Sequence, residues 1–255
     1  MQEEKDSSTS WRTGLNLSNQ TTENNAEVMT HLAQKLGLAQ DLAFHDVFSI
    51  DDPDLLAFVP RPAHALLLVF PISETYEKSR HQEDANLPEY QGHGPGEPAM
   101  WFKQTIRNSC GLIALLHAVA NGEPRRHVTP GSDLAALLER ADPLPPAERA
   151  RSLQYSKGLE SVYMDAAQMG DTEAPEAEDN VDLHFVAFVR GSDGTLWEMD
   201  GRRKGPLARG VLAPDEDVLS ANALEMGVRR FLKAEIEGGN QDMRFSLICL
   251  GPGLD

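Results

Sequence analysis

Gln104-Thr-Ile-Arg-Asn-Ser-Cys110-Gly-Leu-Ile-Ala-Leu-Leu-His-Ala-Val-Ala-Asn121 places one of the chain's two cysteines at the mouth of an apolar helix. Leu112, Leu115, Leu116 and Val119 recur at three- and four-residue spacing, which predicts a helix with one apolar face. Asn108 or Ser109 is a natural N-cap, and Gly122 follows as a C′ glycine would. Cys110 then lies in the first turn, where unpaired N–H groups and the helix dipole favour an anion; the thiolate is the nucleophilic form of a thiol. A small buried cysteine packing as a hydrophobe fits the stretch equally well. The rest of the chain has to decide between them.

At 255 residues, 25 % charged and 40 % hydrophobic, the chain is long enough to bury a large core. It has no run of about 18 apolar residues that would span a membrane. The polar, acidic N-terminus reads as neither a secretory signal nor a transit peptide. Two cysteines, Cys110 and Cys249, make no disulfide scaffold and suggest a reducing cytoplasmic or nuclear setting. A net charge of −17 disfavours nucleic acid and fits either solubility or a basic partner.

Residues 1–24 are polar and without period, and read as a flexible lead-in. Val28, Met29, Leu32 and Leu36 predict a helix between an Asn25 cap and Gly37. Phe44–Phe48 reads as a short strand, and Asp51–Asp54 opens a turn. Ala65–Phe70 is a continuous apolar run between prolines, the pattern of a strand covered on both faces. Residues 79–99 turn charged and then rich in Gly and Pro, and read as a loop. Helices are expected after Ser132 and over about Ala147–Leu159; residues 160–181 lose all period. Leu183–Val189 and Thr195–Met199 form a hairpin about the turn Gly191-Ser-Asp-Gly194. A helix over Val218–Glu237 and a strand over Arg244–Leu250 close the chain. Buried strands mixed with helices predict an α/β (α+β) domain over 25–251, with a sheet between helices and a tail at 252–255.

In an antiparallel ribbon the start of one strand lies beside the end of the next. His184 and Asp200 should therefore be neighbours although sixteen positions apart. A carboxylate on one imidazole nitrogen fixes the tautomer and aims the other nitrogen at a thiol. Singly, His184 is a core histidine and Asp200 a turn residue; their pairing beside a helix-mouth cysteine favours chemistry. Gln104 leads into the helix and could donate to an oxyanion beside the Cys110 N–H. His117 sits two turns along, roughly 10 Å by helix rise, and reads as a packed polar residue. Cys249 reads as core, and the eight histidines show no zinc-type spacing, so no metal or cofactor is expected.

These residues, with Asp54-Leu-Leu-Ala-Phe-Val-Pro-Arg-Pro62, Leu67-Leu-Val-Phe-Pro-Ile72, Thr172-Glu-Ala-Pro175, Val181-Asp-Leu-His-Phe185 and Glu198-Met-Asp-Gly-Arg202, make the chain similar to the ubiquitin C-terminal hydrolases, papain-like cysteine peptidases of which it resembles the small members. The resemblance runs from about residue 25 to 250. It implies a mostly antiparallel sheet between helices with a knotted backbone, and a crossover loop at about 155–180 that limits the leaving group. It implies Cys110 as nucleophile, His184 as general base and acid, Asp200 as its orienter and Gln104 as oxyanion donor. It also implies a monomer that takes ubiquitin as substrate, with Glu27 and Asp46 placed to meet ubiquitin's basic tail. The Gly191–Gly194 turn is slightly longer than the resemblance implies, which alters a hairpin tip. Other readings stay open at this point: a ubiquitin-binding module with vestigial chemistry, a hydrolase of a ubiquitin-like modifier such as NEDD8, or a thiol redox sensor pairing Cys110 with Cys249.

Overall fold

The structure, a computed structural model, describes residues 25–107, 109–153, 156, 159, 183–240, 242 and 244–254. The lead of residues 1–24, almost all of the expected crossover loop and the Thr172–Pro175 motif lie outside these residues. So does part of the chain path on which a knot would depend.

The strands are β1 (Leu42–Asp46), β2 (Ala65–Pro71), β3 (Leu183–Arg190), β4 (Thr195–Met199), β5 (Leu207–Val211) and β6 (Ser246–Pro252). They form one sheet in the order β1-β6-β2-β3-β4-β5, with every neighbouring pair antiparallel. The apolar run becomes β2, held between β6 and β3 with all seven residues buried. Its alternate residues face two cores. Ala65, Leu67 and Val69 pack under α1 (Ala26–Leu36) and α4 (Cys110–Val119). Leu66, Leu68 and Phe70 face the layer that holds α7 (Ala221–Met226) and the start of α8 (Val228–Glu237). A run apolar on both faces therefore dictates a sheet sandwiched between helices.

α1 begins at Asn25, whose side chain accepts from the Glu27 and Val28 N–H groups, and ends at Gly37, where φ is 123°. Four expectations need correction. The first strand lies at Leu42–Asp46, earlier than Phe44–Phe48: the Val47 N–H makes a last bond to the Leu247 carbonyl at 3.0 Å, and Phe48 beyond it is exposed. Residues 79–99 are not all loop: α3 spans Glu74–Asp84, capped by Ser73, after the short α2 (Pro53–Leu56). The single helix over Val218–Glu237 is broken at Gly227, where a Cβ would stand 3.0 Å from the Phe188 ring. Finally, α4 is not apolar on one face only: all of it is buried except Leu112, because α1 and β3 pack on different sides. α5 (Asp133–Ala141), capped by Ser132 as expected, and α6 (Pro146–Leu153) complete that layer.

Candidate active site

The β3–β4 hairpin carries two of the expected residues. Gly194 takes φ 79°, which ordinary side chains resist, and lets the four-residue turn close on the Gly191–Thr195 pair. The register sets Ala187 opposite Met199, so the residue after Met199 returns beside the start of β3. There His184 Nε2 lies 2.8 Å from Asp200 Oδ1, with both side chains at most 2 % exposed. The spacing of sixteen residues thus closes into one hydrogen bond.

α4 comes to this pair mouth first. Ser109 is its N-cap, but the hydroxyl donates to the Ile106 carbonyl at 2.9 Å and leaves the first-turn N–H groups without a side-chain cap. Asn108, the other candidate cap, lies outside the described residues. Cys110 is buried, with Sγ 4.0 Å from the Leu183 carbonyl oxygen. Burial opposes charge on the His184 ring, but the Asp200 carboxylate, its hydrogen bond and the Cys110 side chain outweigh it and raise the imidazole to about 9. Burial pushes the Asp200 carboxyl up, yet His184, Tyr76 and the Arg202 N–H together hold it well below the usual carboxylate range. The pair is thus built as imidazolium and carboxylate. With Nε2 committed to Asp200, Nδ1 is the nitrogen left for the thiol.

Gln104 also arrives. Its N–H donates to the Gly201 carbonyl at 2.8 Å, tying the loop before Cys110 to the turn after Asp200. Its side-chain amide nitrogen donates to the Ile106 carbonyl over a long 3.3 Å, and its oxygen is buried without a partner. A Cβ on Gly201 would stand 2.8 Å from Ile113 Cγ2, 3.0 Å from Gln104 Cβ and 3.1 Å from the Gln104 nitrogen. Gly201→Ala should therefore push the two loops apart, lowering kcat/KM by about 10-fold, since displacements near 1 Å cost up to 10²-fold. Steady-state kinetics on the variant check this, and unchanged kinetics would show that the loops yield freely. Glu27 and Asp46 are exposed, at the start of α1 and the end of β1.

Sequence reasoning missed the supports. Tyr76 of α3 donates its hydroxyl to Asp200 Oδ2, and the Trp101 indole donates to the Asp200 carbonyl at 3.1 Å. His117, expected as a packed polar residue, accepts the Phe102 N–H on Nε2 at 2.9 Å; burial lowers its pKa to about 3, so it stays neutral. Asn121 accepts the Met100 N–H at 2.7 Å and donates to the Met100 and His117 carbonyls. The buried Met100–Phe102 segment is thereby pinned to the back of α4. No periodicity marks such contacts, because each depends on long-range placement.

Cys249 lies in the core opposite the one holding Cys110, and burial pushes its thiol up. Along β2 it pairs with Leu66, whereas His184 pairs with Phe70, four residues or roughly 13 Å farther on. A disulfide needs Cα atoms within roughly 7 Å, so the sheet itself stands between the two thiols. Among the described residues no group of three or more His, Cys, Asp or Glu could hold a metal ion, and no helix is long and apolar enough to cross a membrane.

Against known proteins, the chain matches the family described as ubiquitin carboxyl-terminal hydrolase, family 1, over residues 20–233. It is 38 % identical over 193 residues to a ubiquitin carboxyl-terminal hydrolase of Aplysia californica, covering 76 % of this chain and 86 % of that one. It is 34 % identical over 237 residues to ubiquitin carboxyl-terminal hydrolase YUH1 of Saccharomyces cerevisiae, covering 90 % and 94 %. Its fold is similar to that of the UCH37 catalytic domain of Trichinella spiralis bound to ubiquitin vinyl methyl ester, with a TM-score of 0.67 over 90 % of this chain and 93 % of that one. At 18 % identity that last likeness is one of fold.

Proposed function

As the chain belongs to the family-1 ubiquitin carboxyl-terminal hydrolases, we propose that it is a deubiquitinating thiol hydrolase working through Cys110, His184 and Asp200, with Gln104 as oxyanion donor. The observation that carries the assignment of roles is the buried 2.8 Å His184–Asp200 bond set beside a cysteine at an uncapped helix mouth. The Cys110 thiolate attacks the carbonyl of ubiquitin's C-terminal glycine, and its sulfur–carbon bond forms as the carbonyl electrons move onto oxygen. That oxyanion meets the Cys110 N–H and the Gln104 amide, which exchanges its long bond to Ile106 for the new one. The His184 imidazolium protonates the leaving group as the old bond breaks. In the second half water gives a proton to the now neutral imidazole, cleaves the thioester and frees the ubiquitin carboxylate. Asp200 holds the ring in one tautomer throughout.

The test is ubiquitin carrying a fluorophore on its C-terminus, together with ubiquitin vinyl methyl ester as an electrophilic trap. Turnover is expected, and mass spectrometry should map the trapped adduct to Cys110. No turnover, or an adduct on any other residue, overturns the assignment.

A further inference from the structure

We propose that Tyr76 is a positioning residue of this site: its hydroxyl fixes the plane of the Asp200 carboxylate, shares its charge, and through Asp200 governs how firmly the His184 ring is held. The proposal rests on the Cys110–His184–Asp200 reading above.

Asp200 divides its two oxygens. Oδ1 accepts from His184 at 2.8 Å and from the Arg202 N–H at 2.9 Å, both from the hairpin side. Oδ2 accepts the Tyr76 hydroxyl, which comes from α3 on a separate stretch of chain. Two donors on Oδ1 leave the carboxylate free to swing about its terminal torsion; a third on Oδ2 stops the swing. Tyr76 is itself held in place. Its N–H donates to Ser73 Oγ at 2.8 Å, and that hydroxyl donates to the buried Glu235 of α8 at 2.6 Å. Its ring packs edge-on against Phe70 at 4.9 Å and lies 5.7 Å from the His184 ring. The remainder of α3 grips the turn after Asp200. Arg80 donates to the Arg202 carbonyl, Glu77 pairs with the Arg202 guanidinium at 2.8 Å, and Asp84 pairs with Arg203 at 2.9 Å. A helix with almost no apolar face thus supports the acid of the site.

Burial and the neighbouring Asp200 charge push the Tyr76 phenol well above its ordinary value, so it remains a donor throughout the working range. The other ionisable groups facing Asp200 do not change charge near neutral or alkaline pH. Arg80 of α3 and Arg202 of the turn remain cationic, and His117 of α4 remains neutral. His184 is the group facing Asp200 that does.

Tyr76→Phe removes the hydroxyl and retains the ring. Its hydrogen bond draws charge from the carboxylate, so without it more negative charge faces the imidazolium. The alkaline limb of kcat/KM should then move up by about half a pH unit or more, because hydrogen bonds to the charged form shift neighbouring equilibria. At the pH optimum kcat should fall by roughly 10-fold, with KM nearly unchanged, as expected when one charge-assisted donor is lost from the supporting structure. A proton NMR titration of His184 gives the second readout and should move in the same direction. A residue that merely packs would lower activity, if at all, without moving the limb or the titration. If wild type hydrolyses the ubiquitin–fluorophore substrate and Cys110→Ala does not, while Tyr76→Phe keeps both limb and titration in place, positioning by Tyr76 is overturned and the triad stands. If wild type is inactive or Cys110→Ala is active, the triad reading itself falls.

Discussion

Replacing Asp200 by Ala is expected to lower kcat/KM by roughly 10³–10⁴-fold, and by Asn by roughly 10²-fold, the scale at which a triad acid acts through its histidine. The two variants differ in what they leave behind. In Asp200→Ala the Tyr76 hydroxyl, the His184 ring and the Arg202 N–H lose their shared buried acceptor. Both orientation and charge are gone. In Asp200→Asn the amide oxygen can take the Oδ1 position and accept from His184 and Arg202, while the Tyr76 hydroxyl turns to accept from the amide nitrogen. Orientation survives and only the charge is lost, which is why the smaller effect is expected; related thiol proteases operate with asparagine in this role.

The charge has its own signature. Burial alone would lower the His184 pKa, and it is Asp200 that lifts it to about 9. Without the carboxylate the alkaline limb should move down by more than about one pH unit, opposite in sign to the shift for Tyr76→Phe. Stability follows by linkage. A folded pKa above the unfolded value of about 6.5 means that the folded state holds the extra proton between the two. The contribution of the pair is therefore complete below about pH 6.5 and is lost as pH rises through about 9. Urea unfolding of wild type between pH 6.5 and 9.5 should show that decline, and Asp200→Asn should lack it. A variant as pH-dependent as wild type would mean that Asp200 does not set the charge on His184.

How much of this was legible beforehand depends on the kind of signal each element carries. β2 was legible because seven consecutive buried residues write burial directly into composition. The His184–Asp200 pair was legible because a hairpin turn fixes register, and register converts sequence distance into spatial distance. The apolar character of α4 was legible, but its burial on nearly every side was not, since that depends on which elements pack against it. α3 was missed for a reason tied to its role. It buries only Tyr76 and Asp84 and spends its other side chains on ion pairs with Arg202, Arg203 and Arg209, so it offers no apolar period. Of the candidate site, the meeting of His184 and Asp200 and the place of Cys110 at the mouth of α4 could be read from local pattern; the groups that hold Asp200 from behind could not.

Arg149 shows the same limit on the other side of the site, and Arg149→Met is expected to destabilise the fold by about 3–5 kcal/mol, the range for breaking one partner of a buried ion pair. Arg149 stands on α6 in a stretch that reads as an ordinary charged helix, yet its side chain is 0 % exposed. Its guanidinium makes a two-pronged contact with Glu97, at 3.0 and 2.7 Å, and also donates to the Trp101 and Ala141 carbonyls at 2.7 and 3.1 Å. It lies 5.6 Å from the centre of the Phe102 ring. Removing it leaves the Glu97 carboxylate, only 3 % exposed, without its counter-charge, and the Trp101 carbonyl without its donor, while the Ala141 carbonyl retains the Leu144 N–H at 3.1 Å. For a chain of this size the loss corresponds to a fall of roughly 6–20 °C in Tm, at about 2–4 °C per kcal/mol. Replacing both partners removes the orphaned charge, so Arg149→Met combined with Glu97→Leu should recover much of the loss. If the double variant is no more stable than the single, the penalty comes from the lost carbonyl contacts. Activity separates these contributions further. Trp101 and Phe102 are the residues through which Arg149 reaches the site, by the indole bond to the Asp200 carbonyl and the Phe102 bond to His117. The double variant should therefore regain much of the Tm while kcat stays several-fold low, because the orphaned carboxylate is gone but the Trp101 carbonyl still lacks its donor. Full recovery of both would make the pair a matter of stability alone.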